Sequence, residues 1–91
     1  MADETIPPYI DTKTVTLAGT PEAITTRTLH VSSIAIKPLL TNTGTLFVVD
    51  LSDESKLFPV STDGIVLPIN DPSRIKIDVS VSGEGAAWVA V

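Results

Sequence analysis

The sequence predicts an all-β fold: a compact antiparallel β-sandwich or jelly-roll-like barrel of seven to eight short strands. Valine, isoleucine and threonine supply 31 of the 91 residues, and side chains branched at Cβ fit a pleated strand better than a helix. Seven prolines and five glycines interrupt the chain too often for long helices. Turn signals recur at roughly the 8–12-residue spacing that is typical of sandwiches and small barrels.

The chain is long enough for one domain. A domain of 91 residues buries only about 60–65% of the surface that its unfolded form exposes. We therefore expect a thin stability margin unless partners cover more apolar surface. Cysteine is absent, which excludes disulfides and thiolate metal sites.

Residues 1–12 are predicted to form an extended N-terminal arm, and residues 13–91 the sandwich domain. Pro7 and Pro8 cannot donate backbone hydrogen bonds and favour an extended path. Two interpretations stay open, a frayed terminus or an arm that docks on a neighbouring molecule. In the second case, deleting residues 1–12 should abolish partner binding and leave the domain folded. The interface candidates are Ile6, Pro7, Pro8, Tyr9 and Ile10.

The first half of the domain contains three predicted strands. Residues 14–17 alternate polar and apolar side chains, which is the period of a half-buried strand. Residues 24–31 form the second candidate, whose inner face the sequence does not reveal. Residues 34–39 form the third, and Pro38 confines it to a sheet edge or to a strand end.

Turns separate the next three strands. Residues 41–44 predict a turn, because Asn42 and Gly44 tolerate a positive φ. Residues 45–50 are the most continuously apolar run and predict a central strand. After a turn at residues 52–55, Pro59 marks residues 56–60 as an edge strand. Ser61, Thr62, Asp63 and Gly64 form another strong turn signal, and residues 65–69, with Pro68, predict a further short strand.

The clearest signal lies in the C-terminal third. Ile75, Ile77, Val79 and Val81 alternate with polar residues, which predicts a strand with one face on the core and the other in water. Residues 83–85 are predicted to close a hairpin onto a last strand, residues 86–91. Trp88 is expected to be a core anchor, with an interface hot spot as the alternative. Both faces of the last strand are apolar, which predicts burial on two sides.

The sequence carries no recognisable catalytic signature, and we expect a protein that is not an enzyme and binds no cofactor. The single histidine, His30, lies in a threonine-rich segment, and no serine stands in a Gly-x-Ser-x-Gly turn. The turn carboxylates are expected to bond the local backbone rather than to form an acid–base pair or hold a metal ion. They are Asp50, Asp53, Glu54, Asp63 and Asp71.

Charge and hydropathy exclude further classes of partner. The net charge is −5 and the six basic residues are scattered, whereas nucleic-acid binding needs clustered lysine and arginine. No stretch approaches the roughly 20 apolar residues of a membrane span. The first ten residues do not have the pattern of a signal peptide, so we expect synthesis in a cytoplasm without export.

Residues 31–91 resemble a known class of small β-sandwich. The recurrent order is an Asn-Thr-Gly turn leading into a strand (residues 42–48), a Gly- and Pro-marked strand (63–68) and a closing pair ending in an aromatic (71–77 and 83–89). It is similar to structural proteins of tailed bacteriophages, notably capsid decoration (cement) proteins and related head or tail accessory proteins. The sequence departs from that pattern at residues 56–59, where a glycine-rich loop is common.

The resemblance implies a virion protein, present in many copies, that binds the major capsid protein or another virion protein and stabilises the shell. It also implies a homo-oligomer, with a trimer favoured. The alternative is a tail or fibre module that recognises a host surface glycan or protein. That function needs exposed aromatic side chains, and only Tyr9 is expected to be available.

Overall fold

The computed structural model describes residues 7–91 and contains two four-stranded antiparallel sheets. The predicted all-β sandwich is therefore confirmed. Sheet 1 has the strand order β1-β8-β3-β6 and sheet 2 the order β2-β7-β4-β5. The strands are β1 (Tyr9–Thr14), β2 (Glu22–Ala23), β3 (Ile34–Pro38), β4 (Leu46–Asp50), β5 (Asp53–Val60), β6 (Ile65–Leu67), β7 (Lys76–Val79) and β8 (Gly85–Ala90).

The core lies between the sheets and is aliphatic apart from Trp88, which is 2% exposed. Trp88 is thus the core anchor that was expected. Sheet 1 contributes alternate residues of its two central strands, and sheet 2 contributes Leu46, Ile77 and Val79. The side chains that are no more than 2% exposed on the central strands are Ile34, Ile36, Leu46, Ile77, Val79, Ala86, Trp88 and Ala90.

The positions of Pro38 and Pro59 agree with the predictions made from them. β4 is central in sheet 2, as its apolar run indicates, and β5, with Pro59, is the neighbouring edge strand. β6 is an edge of sheet 1, and Pro38 ends β3. Gly64 has a φ of +83° in the turn before β6, where its N–H donates to Ser61 O at 2.9 Å. Glycine adopts this conformation without steric cost.

The predicted C-terminal hairpin is wrong. β7 belongs to sheet 2 and β8 to sheet 1, so residues 80–84 cross from one sheet to the other. Val81 lies in this crossing and is 41% exposed, although it continues the alternation of Ile75, Ile77 and Val79, which are buried. Alternation predicts a shared side only while the chain stays in one strand.

The polar side of β7 is not exposed to solvent along its whole length. Asp78 is only 4% exposed, because the loop after β1 lies over it. The Gly19 N–H donates to Asp78 Oδ1 at 3.0 Å, and the Val79 N–H donates to the same oxygen at 2.8 Å. Nearby, the Ala18 N–H donates to Ser82 Oγ at 2.8 Å. These bonds replace the water that the carboxylate was expected to face.

The predicted boundary between arm and domain falls inside a strand. Residues 9–12 belong to β1, which pairs with β8 from Tyr9↔Ala90 to Thr14↔Gly85. The backbone groups that were expected to be free in an arm are satisfied by the C-terminal strand. A deletion of residues 1–12 would remove most of β1, and residues 1–6 lie outside the described part of the chain.

Two further predicted strands differ from the structure. Residues 15–17 follow β1 as a bend, and the segment 24–31 is irregular. Ile24 and Leu29 are nevertheless buried, and the Ile24 N–H donates to Ile75 O at 3.0 Å. β-Branched composition predicts an extended conformation here, but a strand also requires a partner along its length.

Candidate interaction surface

The outer side of sheet 1 carries a row of aliphatic side chains. In the strand register Ile10 lies opposite Val89, Val89 opposite Ala35, and Ala35 opposite Val66. The row therefore crosses all four strands. Its neighbours along β8, Trp88 and Ala90, are buried and point inward, so the row points outward. Ala87, two residues before Val89, extends the surface. We call Ile10, Ala35, Val66, Ala87 and Val89 the apolar face.

Solvent reaches the apolar face at both margins. Ile10 is 74% exposed and Val66 is 66% exposed, while Ala35, Ala87 and Val89 are half-buried. An antiparallel sheet that meets water on one side normally carries polar residues there. Burial of β8 on two sides was predicted, but among the described residues only sheet 2 covers it. The other side of β8 is also apolar, but no described part of the chain packs against it.

Lys37 lies beside the apolar face, next to Ala87 in the register. Two shallow hollows meet at these residues. One is bordered by Ile10, Ala35 and Val89, and the other by the loop from Pro38 to Thr41. Leu40 at the tip of that loop is 100% exposed. The hollows exist because alanine side chains stand between longer neighbours.

Two more large apolar side chains are exposed on the edge strand β5, one on each side of sheet 2. Phe58 is 60% exposed and Leu57 is 42% exposed. The backbone here is poorly suited to pairing with another strand, because the Ser55 N–H donates to Asp53 Oδ1 at 3.1 Å and Pro59 has no N–H. A contact at this edge would depend on side chains.

Glu84 links the turn at residues 42–44 by hydrogen bonds to residues 80–84, which cross between the sheets. Its Oε2 accepts hydrogen bonds from the Thr43 N–H at 2.6 Å and from Thr43 Oγ1 at 2.8 Å, and its Oε1 accepts one from the Gly44 N–H at 2.9 Å. Asn42 adds two bonds to the backbone of Gly85. Gly44 permits a close approach rather than a positive φ: a Cβ there would lie 2.2 Å from the side-chain oxygen Ser80 Oγ.

The Glu84 contacts predict a pH-dependent stability. Hydrogen bonds from the Thr43 and Gly44 backbone lower the pKa of Glu84 from its ordinary value of 4.5. A carboxyl group with a depressed folded-state pKa stabilises the fold above its unfolded pKa, and the contribution disappears as the pH falls through the folded pKa. We expect Glu84→Gln to lower stability at pH 7, and the difference from the parent to shrink towards pH 3.

Urea denaturation followed by Trp88 fluorescence measures this effect. Asp63→Asn is the matched control, since Asp63 lies in an exposed turn and accepts none of the side-chain hydrogen bonds found in residues 7–91. An equal loss for Glu84→Gln at pH 7 and pH 3 would contradict the role of the ionised carboxylate.

The turn carboxylates largely bond the nearby backbone, as expected. Asp50 Oδ1 and Asp71 Oδ1 accept from the N–H groups of Ser52 and Ser73, at 2.8 and 3.0 Å. These serines also donate their hydroxyls, and the hydroxyl bond is the largest cause lowering the pKa of each aspartate. Two of the five differ: Glu54 pairs with Lys76, and Asp63 accepts none of the side-chain hydrogen bonds found in residues 7–91.

The structure places the predicted interface residues in different environments. Pro7 and Pro8 are exposed, and Ile10 joins the apolar face. Tyr9 is half-buried, packs against the core, and has the Arg27 guanidinium 5.7 Å from its ring centroid. Tyr9 was predicted to be the one available aromatic residue, but Phe58, which is 60% exposed, is more accessible. Ile6 lies outside the described residues.

The single histidine and the acidic side chains do not form a metal site in the described part of the chain. His30 is exposed, and residues 7–91 contain no group of three histidine or acidic side chains placed to hold a metal ion. The described chain also has no helix that is long and apolar enough to cross a membrane.

No family model, curated protein or solved structure matches this chain. The residues of the apolar face are therefore interpreted from the fold alone. Of these residues, only Ile10 was predicted from the sequence as an interface residue. The signal for the others was the apolar composition of both sides of β8, which was interpreted as burial within the chain.

Proposed function

We propose that the protein is a capsid decoration protein that binds the major capsid protein through the apolar face and stabilises the shell. One observation carries the proposal: an aliphatic row crosses the whole of sheet 1 on its solvent side. Exposed apolar surfaces of this kind mark protein contact sites. The resemblance of residues 31–91 to phage decoration proteins supplies the identity of the partner.

The energetics of a small domain support a role in association. A sandwich of this length buries a modest share of its apolar surface, and binding to a partner adds to the apparent stability of the folded state by mass action. Many copies on a symmetric shell would strengthen a weak single contact by avidity. In this role the protein is located in the virion.

The proposal includes a homo-oligomer, with a trimer favoured. Contacts between copies would use the exposed side chains on β5, Leu57 and Phe58, and leave the apolar face for the shell. Sedimentation equilibrium of the purified chain distinguishes a trimer from a monomer of 9.6 kDa. A monomer at high concentration contradicts this part of the proposal and leaves the shell contact to be tested separately.

Val89→Asp tests the shell contact. Val89 is central in the apolar row, and a carboxylate there would lose its hydration when the contact forms and would interrupt the aliphatic surface. We expect binding to weaken by at least about thirtyfold, which is the effect of losing a hot spot of about 2 kcal/mol. The measurement is co-sedimentation with shells assembled from the major capsid protein of the virus that encodes the chain.

Leu17→Asp is the matched control. Leu17 is also an exposed aliphatic residue, at 60%, but lies in the loop after β1 and away from the apolar face. Thermal melts of both variants establish that they fold. Undiminished shell binding by Val89→Asp would show that the apolar face is not the contact.

The role of the N-terminal segment is tested with a deletion of residues 1–8 rather than 1–12. The shorter deletion ends before Tyr9 and leaves β1 intact. Loss of shell binding by a folded 1–8 deletion supports an arm that contacts the partner, and full binding contradicts it.

A further inference from the structure

The outer side of sheet 1 holds a single charged residue. Strand register and alternation place one charge, Lys37, among its outward positions within residues 7–91. Those positions are Ile10, Thr12, Thr14, Ala35, Lys37, Val66, Ala87 and Val89. The two ion pairs found in this part of the chain, Lys13–Glu22 and Lys76–Glu54, do not include Lys37. Within residues 7–91, the surface thus presents an ammonium group that makes no ion pair.

Lys37 lies between two hollows that suit aliphatic side chains. Its stem lies over Gly64, where an added Cβ would be 2.6 Å from Lys37 Cγ. On one side is the hollow bordered by Ile10, Ala35 and Val89, and on the other is the hollow beneath Leu39 and Leu40. The surface therefore has three subsites in a row: an apolar hollow, the Lys37 ammonium group and a second apolar hollow.

The charge of Lys37 argues against pairing of this surface with the same surface of a second copy. The outward strand positions of two such surfaces, placed face to face, would bury ammonium groups and contribute no carboxylate to either of them. Desolvating an unpaired charge is costly and commonly excludes a partner. A partner that supplies a carboxylate gains a charge-assisted hydrogen bond instead.

We infer that this surface binds an extended segment of a different protein, in which an acidic residue stands between two aliphatic residues. Alternate positions of an extended segment point to the same side, so the three side chains would occupy positions i, i+2 and i+4. The carboxylate pairs with Lys37 and the aliphatic side chains enter the two hollows. The inference rests on the proposed function in one respect, that the apolar face binds a protein.

A random peptide library selected on the immobilised full-length chain tests the chemistry directly. We expect enrichment of peptides with Asp or Glu between aliphatic residues at alternate positions. Selection on Lys37→Glu should enrich Lys or Arg at the central position. An enriched acidic peptide should lose at least about tenfold in affinity for Lys37→Glu. Lys56→Glu, a reversal of an exposed lysine on β5, should leave both results unchanged.

Three results would overturn the inference: no enrichment, enrichment without an acidic residue, or a consensus that Lys37→Glu does not alter. A fourth would come from sedimentation. If Lys37→Glu lowers the mass of the assembled chain, the surface contacts a second copy.

Failure of this inference and failure of the proposed function are distinguishable. Shell binding that is lost in Val89→Asp but retained in Lys37→Glu overturns the acidic partner segment alone. A clear peptide consensus without any shell binding overturns the decoration role alone.

Discussion

Gly85→Ala is expected to lower the free energy of unfolding by about 3 kcal/mol, the upper end of the cost of overpacking. A Cβ at this position would lie 1.9 Å from the carbonyl oxygen of Lys13 and 2.7 Å from Thr14 Cα. Both atoms belong to the backbone of β1 and cannot move aside as a flexible side chain can. The alanine variant must therefore separate β1 from β8 at the end of their ladder.

Gly83→Ala is the control for Gly85→Ala. Gly83 lies two residues earlier and has a φ of +88°, with no atom within 4 Å of an added Cβ. Its substitution should cost only about 1–2 kcal/mol for the left-handed backbone. Urea denaturation of both variants, followed by Trp88 fluorescence, gives the comparison. An equal or smaller loss for Gly85→Ala would show that β1 does not approach β8 this closely.

Trp88→Ala is expected to lower the free energy of unfolding by about 4 kcal/mol. Trp88 is the only tryptophan of the chain and is 2% exposed between the sheets, so truncation leaves a large cavity. Domains of this kind have total stabilities of roughly 5–15 kcal/mol. We therefore expect the variant to be marginally folded, which far-UV circular dichroism during urea denaturation can measure.

Two variants control for the Trp88 result. Val89→Ala changes the next residue, which points outward, and should cost less than about 1 kcal/mol. Trp88→Phe retains an aromatic ring and removes Nε1, which has no hydrogen-bond partner among the described residues. Its loss should be much smaller than that of Trp88→Ala. A small loss for Trp88→Ala itself would contradict a core built around this side chain.

Local signals in the sequence predicted several elements well. Pro59 identified an edge strand because proline cannot donate to a ladder, and the run before Asp50 identified a central strand. Gly64 identified a turn, since glycine adopts its positive φ without cost. In each case one residue or a short run limits the backbone, whatever the rest of the chain does.

Signals that depend on distant neighbours were less reliable. Val81 continues the alternation of β7 but lies in the crossing to the other sheet, where it is exposed. Asp78 is polar and was expected to face water, yet the Gly19 loop covers it. Tyr9 was assigned to an arm because no local pattern shows that β8 will pair with it.

For the same reason, most of the candidate site could not be predicted from the sequence. The apolar face takes one residue or more from each of four strands, and β1 and β8 are adjacent although they lie at opposite ends of the chain. Ile10 was singled out as an interface residue, but the row that it joins exists only in the assembled sheet.

By itself, the sequence determined that the chain forms short strands and turns, where prolines exclude central pairing, and that aliphatic side chains supply most of the core. Those properties follow from the steric preferences and polarity of individual residues. Tertiary structure decided which strands are neighbours, that β7 and β8 lie in opposite sheets, and which apolar side of β8 is covered. Alternation separates the residues of a strand into two sides, but only packing against a second sheet makes one of them the interior.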